Sequence, residues 1–170
     1  MKMLKEKTTY KLSIKMNFKK HILAITIFSM SLLHAQQNIL AKWEVMILED
    51  AVINERTELM FGVKLKPLWF IHSINGKDKN GKNTSIWFRE NGDFKIIEKP
   101  EAIYEIEQRN ESNNKVEYVL VGEGGFMQTI KTLKANPIIK GQINYVLCNR
   151  STNQEIPQEY HFEIKVITKQ

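Results

Sequence analysis

Ile143 to Val166 reads INYVLCNRSTNQEIPQEYHFEIKV, and this stretch decides the fold. Ile143, Tyr145 and Leu147 place apolar residues at every second position, and Tyr160, Phe162, Ile164 and Val166 repeat the pattern. His161, Glu163 and Lys165 fill the alternate positions of the second run. A period of two is the mark of half-buried antiparallel strands, because successive side chains point to opposite faces. Between the runs lies the polar segment Asn149 to Glu155, closed by Pro157, which cannot donate a ladder hydrogen bond. The only cysteine of the chain, Cys148, sits where the first strand gives way to that loop.

The remaining chain continues in the same manner. Trp43, Val45 and Ile47 share one face of a first strand, Ala41 to Glu49, and a turn-like Asp50 to Arg56 follows. Leu59, Phe61, Val63 and Leu65 line the inward face of Thr57 to Leu65. After Pro67 the run Leu68 to Asn75 is apolar on both sides, with Leu68, Phe70 and Ile74 on one and Trp69 and Ile71 on the other. Such a strand is central to a sandwich or carries an aromatic contact face. Gly76 to Asn83 is a long polar turn. Thr84 to Glu90 and Phe94 to Ile97 flank Asn91-Gly92-Asp93, a hairpin signal, since Asn and Gly tolerate positive φ. Pro100 to Asn114 reads as a weak edge strand plus loop, and Val116 to Val121 and Phe126 to Leu133 read as a further hairpin about Gly122 to Gly125. No segment has helical periodicity. Eight or nine short strands with turn signals every ten or so residues predict an all-β fold, an antiparallel β-sandwich.

The N-terminal segment has a different purpose. Lys19 and Lys20 precede an uncharged apolar run, Ile22 to Leu33, and Leu33-His34-Ala35 provides a cleavage site before Gln36. Twelve residues are too few to span a bilayer as a helix but suit a signal peptide. The expectation is therefore an over-extended start over 1–15, a signal peptide over 16–35 and a single domain over 36–170. An uncleaved amphipathic anchor is the alternative. Residues 1–35 hold seven of the 25 Lys and Arg and one of the 19 acids, which leaves eighteen of each from Gln36 onward. The basic excess of the whole chain belongs to the leader, which excludes nucleic acid as a partner. No later run is long enough to cross a membrane as a helix.

Few residues are equipped for chemistry. His72 and His161 are the only histidines after the leader, and no Cys/His/Asp/Glu spacing resembles a zinc site. No cofactor is expected. His161 falls on the exposed side of its strand, and His72 reads as a hydrogen-bonded structural residue. Trp69 and Phe70 are a contact surface or core, with core the expectation for at least one. Cys148 is either an inert buried thiol or a reactive one; Arg150 would lower its pKa, and Glu155 nearby would raise it.

Read in order, these features resemble the N-terminal periplasmic domain of the thiol:disulfide interchange protein DsbD, in the disulfide-bond corrector-like form of Bacteroidetes-type bacteria. Leu68-Trp69-Phe70-Ile71-His72-Ser73 stands where that family has a motif like Gly-Trp-His-Ile-Tyr-Ser, and Asn83-Thr84-Ser85 stands for a Pro-Thr-Ser-type segment. Tyr145-Val146-Leu147-Cys148 resembles the family's Tyr-x-x-Cys, and Glu155-Ile156-Pro157 takes the place of Cys-Leu-Pro. The resemblance covers roughly Ala41 to Lys169. It implies an immunoglobulin-like sandwich in the periplasm whose partner is a thiol:disulfide oxidoreductase or membrane reductase. It also implies a catalytic role for Cys148 and a binding role for Trp69, Phe70, His72, Tyr145 and Glu155. The second cysteine is missing, with Glu155 (or Gln154) in its place, and a lone thiol cannot resolve its own mixed disulfide. Three readings follow: a degenerate module that binds a redox partner, an active participant through mixed disulfides at Cys148, and a structural envelope protein.

Overall fold

The computed structural model describes residues 40–75, 81–110 and 114–169. The expected leader, residues 1–35, lies outside the described residues. Thirteen strands and no helix are found among them: β1 (Ala41–Ile47), β2 (Ala51–Val52), β3 (Arg56–Leu65), β4 (Trp69–His72), β5 (Ser85–Phe88), β6 (Phe94–Ile96), β7 (Glu101–Ile103), β8 (Ile106–Asn110), β9 (Lys115–Val121), β10 (Glu123–Thr132), β11 (Ile138–Asn149), β12 (Glu155–Lys165) and β13 (Thr168–Lys169). Nine of these run four residues or longer, the length at which alternation becomes readable in a sequence.

The strands form two antiparallel sheets. One has the order β1-β3-β10-β6, with β7 also on β10; the other has the order β12-β11-β4-β9-β8, with β5 also on β11. A two-residue parallel pair, β13 with β2, is the one exception to antiparallel pairing among the described strands. Alternation dictates which faces meet. Leu59, Phe61, Val63 and Leu65 of β3 join Ile139, Ile143, Tyr145 and Leu147 of β11 in one buried cluster. Aromatic rings lock the two sheets together. Phe61 meets Phe162 edge-on at 4.9 Å, and Trp43 meets Tyr145 at 5.3 Å. Phe61 is fully buried, a burial that contributes about 2–3 kcal/mol by apolar transfer.

Two expected hairpins take a different form. β5 pairs with β11 in the six-stranded sheet, whereas β6 pairs with β10 in the other, so Asn91-Gly92-Asp93 carries the chain between sheets. Asn91 Oδ1 accepts the Asp93 N–H at 3.0 Å, and Gly92 has φ 75°. The second case is the same. β9 lies in the six-stranded sheet and β10 in the five-stranded one, and the chain crosses at Gly122, φ 65°. Turn residues encode a local bend and not the partner of the strand that follows it. The weak edge strand expected over Pro100 to Asn114 is likewise two short strands, β7 and β8, one on each sheet.

The β11–β12 hairpin forms as the alternation predicts, from Ile138↔Lys165 to Cys148↔Glu155. Its loop is tied by Asn149, whose Oδ1 accepts from the Ser151 N–H (2.9 Å), the Ser151 hydroxyl (2.7 Å) and the Thr152 N–H (3.1 Å). Asn153 takes a left-handed conformation, φ 54°, which Asn tolerates better than most residues. Pro157 sits on an edge strand, where its missing N–H removes no ladder bond.

Candidate functional site

The odd-numbered residues of β11 point into the core, so Cys148 points out of the opposite face of the six-stranded sheet. Register fixes its neighbours. Phe70 of β4 lies on one side and Glu155 of β12 on the other. Beyond Phe70 stands Val121, and His72 pairs with Val119 one rung along. The outer face around the thiol is thus built from β12, β11, β4 and β9.

Cys148 is a free thiol and only 4% exposed, yet it is no member of the core cluster. Its burial comes from the outer side of the sheet and not from Tyr145 or Phe162, which line the core. The thiol reaches the Val146 carbonyl oxygen at 3.7 Å, a weak bond typical of S–H. Burial pushes the Cys148 pKa up to about 11, and the Glu155 carboxylate adds to the rise. Lys82 opposes it and Glu117 reinforces it. Lys82 Nζ pairs with Glu155 Oε1 at 2.5 Å, which partly neutralises the carboxylate beside the sulfur. A thiol with this pKa is almost wholly protonated near neutrality, and the thiolate is the nucleophile.

Arg150 does not serve the thiol. Its guanidinium lies over the Phe70 ring, 5.6 Å from the centroid, and its Nη2 donates to Gln108 Oε1 at 3.2 Å. Phe70 in turn meets His72 edge-on at 5.6 Å. The cation that acts on Cys148 is Lys82, which sequence reading missed. It lies in the polar turn before Asn83, where nothing local signals a distant carboxylate as partner.

The residues singled out from the sequence fall on two sides of the sheet. Phe70, His72 and Glu155 share the outer face with Cys148. Trp69 and Tyr145 face the other way: Trp69 packs against the core, and Tyr145 is 7% exposed with burial raising its phenol pKa. His72 is buried and its backbone oxygen accepts the Thr84 hydroxyl at 2.6 Å. His161 is exposed and pairs with Glu159 at 2.6 Å. Among the described residues no group of three or more His, Cys, Asp or Glu could hold a metal ion. No helix among them is long and apolar enough to cross a membrane.

No protein-family model matches the sequence, and no curated protein matches it either. Solved structures do match in fold. The N-terminal periplasmic domain of ScsB from Proteus mirabilis has a TM-score of 0.53 at 10% identity, covering 76% of this chain and 48% of that one. The chain therefore spans about half the length of the ScsB domain. The N-terminal domain of DsbD from Neisseria meningitidis in its reduced form has a TM-score of 0.44 at 12% identity, covering 72% and 84%. The same DsbD domain in complex with the PilB N-terminal domain has a TM-score of 0.42 at 12% identity, covering 71% and 81%. At such low identity the likeness to ScsB speaks for the fold alone, and the fold is an immunoglobulin-like sandwich similar to the N-terminal periplasmic domain of ScsB.

Proposed function

We propose that this chain is an exported binding module of the DsbD N-terminal type that engages a periplasmic or membrane thiol:disulfide partner without exchanging thiols itself. The observation that carries this reading is the Cys148–Glu155 rung. A carboxylate stands at the position where a second cysteine would have to lie, and the remaining thiol is buried and pushed up to about 11. A dithiol domain needs one thiolate to attack and another to resolve, and this rung offers neither at neutral pH. Phe70 lies on the same outer face and is the residue we assign to the partner contact, with buried His72 beside it and Trp69 and Tyr145 supporting it from the core side. Residues 16–35 act as the signal peptide and deliver residues 36–170 to the periplasm.

Two measurements test the reading. Thiol labelling of the native protein across pH is expected to be slow at neutrality and rapid only on unfolding, with Cys148→Ser as the unlabelled control. Fast native labelling with a midpoint well below about 8.5 restores the mixed-disulfide reading. Calorimetric titration with a thioredoxin-fold periplasmic oxidoreductase is expected to show binding that Cys148→Ser retains and Phe70→Ala weakens. Absence of binding leaves the structural envelope protein as the reading.

A further inference from the structure

The six-stranded sheet also holds a recess whose lining includes neither Cys148 nor Glu155. It lies over β11 where neither β4 nor β5 covers it, between residues 81–85 and β12. Its volume is about 400 Å³; Tyr145, Val146 and Pro157 give it an apolar floor, and Asn83, Ser85, Asn144, Gln158 and Glu159 add polar groups around it. This volume falls within the roughly 300–1,000 Å³ of small-molecule clefts. Glu159 is the only charged side chain among the described residues that line it.

One rung along the sheet stands Trp87. It follows Ser85 by two positions on β5, so both project from the outer face. Ser85 pairs with Asn144 and Trp87 with Gln142 on β11; Asn144 pairs in turn with Glu159 and Gln142 with His161 on β12. Two parallel rows therefore cross the face, Ser85–Asn144–Glu159 and Trp87–Gln142–His161. Gln142 Nε2 donates to Asn144 Oδ1 at 3.3 Å, and His161 Nε2 pairs with Glu159 Oε1 at 2.6 Å, so the rows are braced against each other. Trp87 is 56% exposed, the most exposed of the large hydrophobics within a strand of this sheet. Tryptophan is the costliest side chain to leave wet, and a solitary exposed ring beside a recess of mixed apolar and polar lining has a definite complement.

We infer that this face binds a neutral carbohydrate, with one sugar ring stacked on Trp87 and its neighbour's hydroxyls received by Asn144, Ser85 and Glu159. A pyranose ring is apolar on its C–H face and polar around its rim. The flat indole matches the first, and amide, hydroxyl and carboxylate groups that both donate and accept match the second. Glu159 as the sole lining charge selects against anionic sugars and favours hydroxyl donors. The site shares no side chain with the thiol rung and stands independently of the redox-partner reading.

The test uses the purified protein with tetrasaccharides of glucose (both anomeric linkages), mannose, galactose, xylose and N-acetylglucosamine, together with a galacturonate tetramer. Tryptophan emission and ligand-observed NMR saturation transfer report binding. At least one neutral tetrasaccharide is expected to saturate the protein in the micromolar to millimolar range. Trp87→Ala should weaken it about tenfold or more, and Asn144→Ala measurably, whereas Cys148→Ser leaves it unchanged. Trp87 is exposed, so Trp87→Ala should keep the wild-type far-UV circular dichroism, and Trp87→Phe should recover part of the affinity. No saturable binding by any neutral probe overturns the inference. So does binding that Trp87→Ala leaves intact, or binding of galacturonate alone.

Discussion

Cys148 and Glu155 face each other across a rung of the β11–β12 ladder that carries no backbone hydrogen bond, with both side chains on the outer face of the six-stranded sheet. The Asn149 N–H donates to the Gln154 carbonyl at 2.9 Å on the next rung, so the Cys148 rung is the closely approaching kind. The carboxylate is thus held beside the sulfur by the backbone itself. Glu155→Gln is expected to lower the apparent thiol pKa, and Lys82→Ala to raise it, in pH-resolved labelling of the native protein. Both variants should keep a value above about 8.5, because burial is the larger cause. A Glu155→Gln thiol that titrates at the ordinary value would make the carboxylate the dominant cause instead.

The same rung predicts a gain of chemistry. Glu155→Cys places a second sulfur opposite the first, at a cross-strand spacing within disulfide range. Air oxidation should then remove both free thiols from a titration with Ellman's reagent in a monomeric product. Closing so short a loop should stabilise the oxidised protein by about 2 kcal/mol against urea relative to its reduced form. Two persistent free thiols in the oxidised sample would show that the rung is not held as described.

Stability should fall in alkali with a sign set by the thiol. Folding raises the Cys148 pKa from 9.0 to about 11, so the folded state holds this proton more tightly than the unfolded chain. Its contribution is complete below the unfolded value and is lost as pH rises through about 11. Urea midpoints measured between neutrality and this range should drop less steeply in Cys148→Ala than in the wild type. Tyr145, also raised by burial, contributes a decline in the same direction to both proteins and does not mask the difference. Equal slopes would place the thiol in solvent.

Gly141 is required by space. A Cβ there would lie 2.1 Å from the Trp87 carbonyl oxygen and 2.6 Å from Phe162 Cζ, and the first of these is backbone that cannot swing away. Gly141→Ala should cost about 3 kcal/mol in urea denaturation, at the upper end for an overpacked site, by forcing β5 away from β11. A loss below about 1 kcal/mol would mean that the two strands part easily.

Legibility of the fold varied with the range of the interaction. The alternation of β3 and β11, and the closure of β11 onto β12, were readable because side-chain period and turn chemistry are local. Asn91-Gly92 and Gly122 misled, since their backbone freedom serves a crossing between sheets as well as it serves a hairpin. Two-residue strands such as β2 and β13 have no period to read. At the site, the outward direction of Cys148 followed from alternation, but its burial did not. Lys82 and Glu117 reach the thiol from other parts of the chain, and Arg150, its neighbour in sequence, is drawn to Phe70 instead.

β11 is the common partner of β12, β4 and β5, and it follows every other strand of the six-stranded sheet except β12 in the sequence. The larger sheet therefore cannot be completed before β11 is present, and most of its pairings close long loops, which slows folding. Until then the inward face of the five-stranded sheet, complete by Thr132, lacks the β11 residues it packs against. The strand order itself thus makes this sheet wait on its penultimate strand, and β5 and β12 have no ladder partner until β11 arrives.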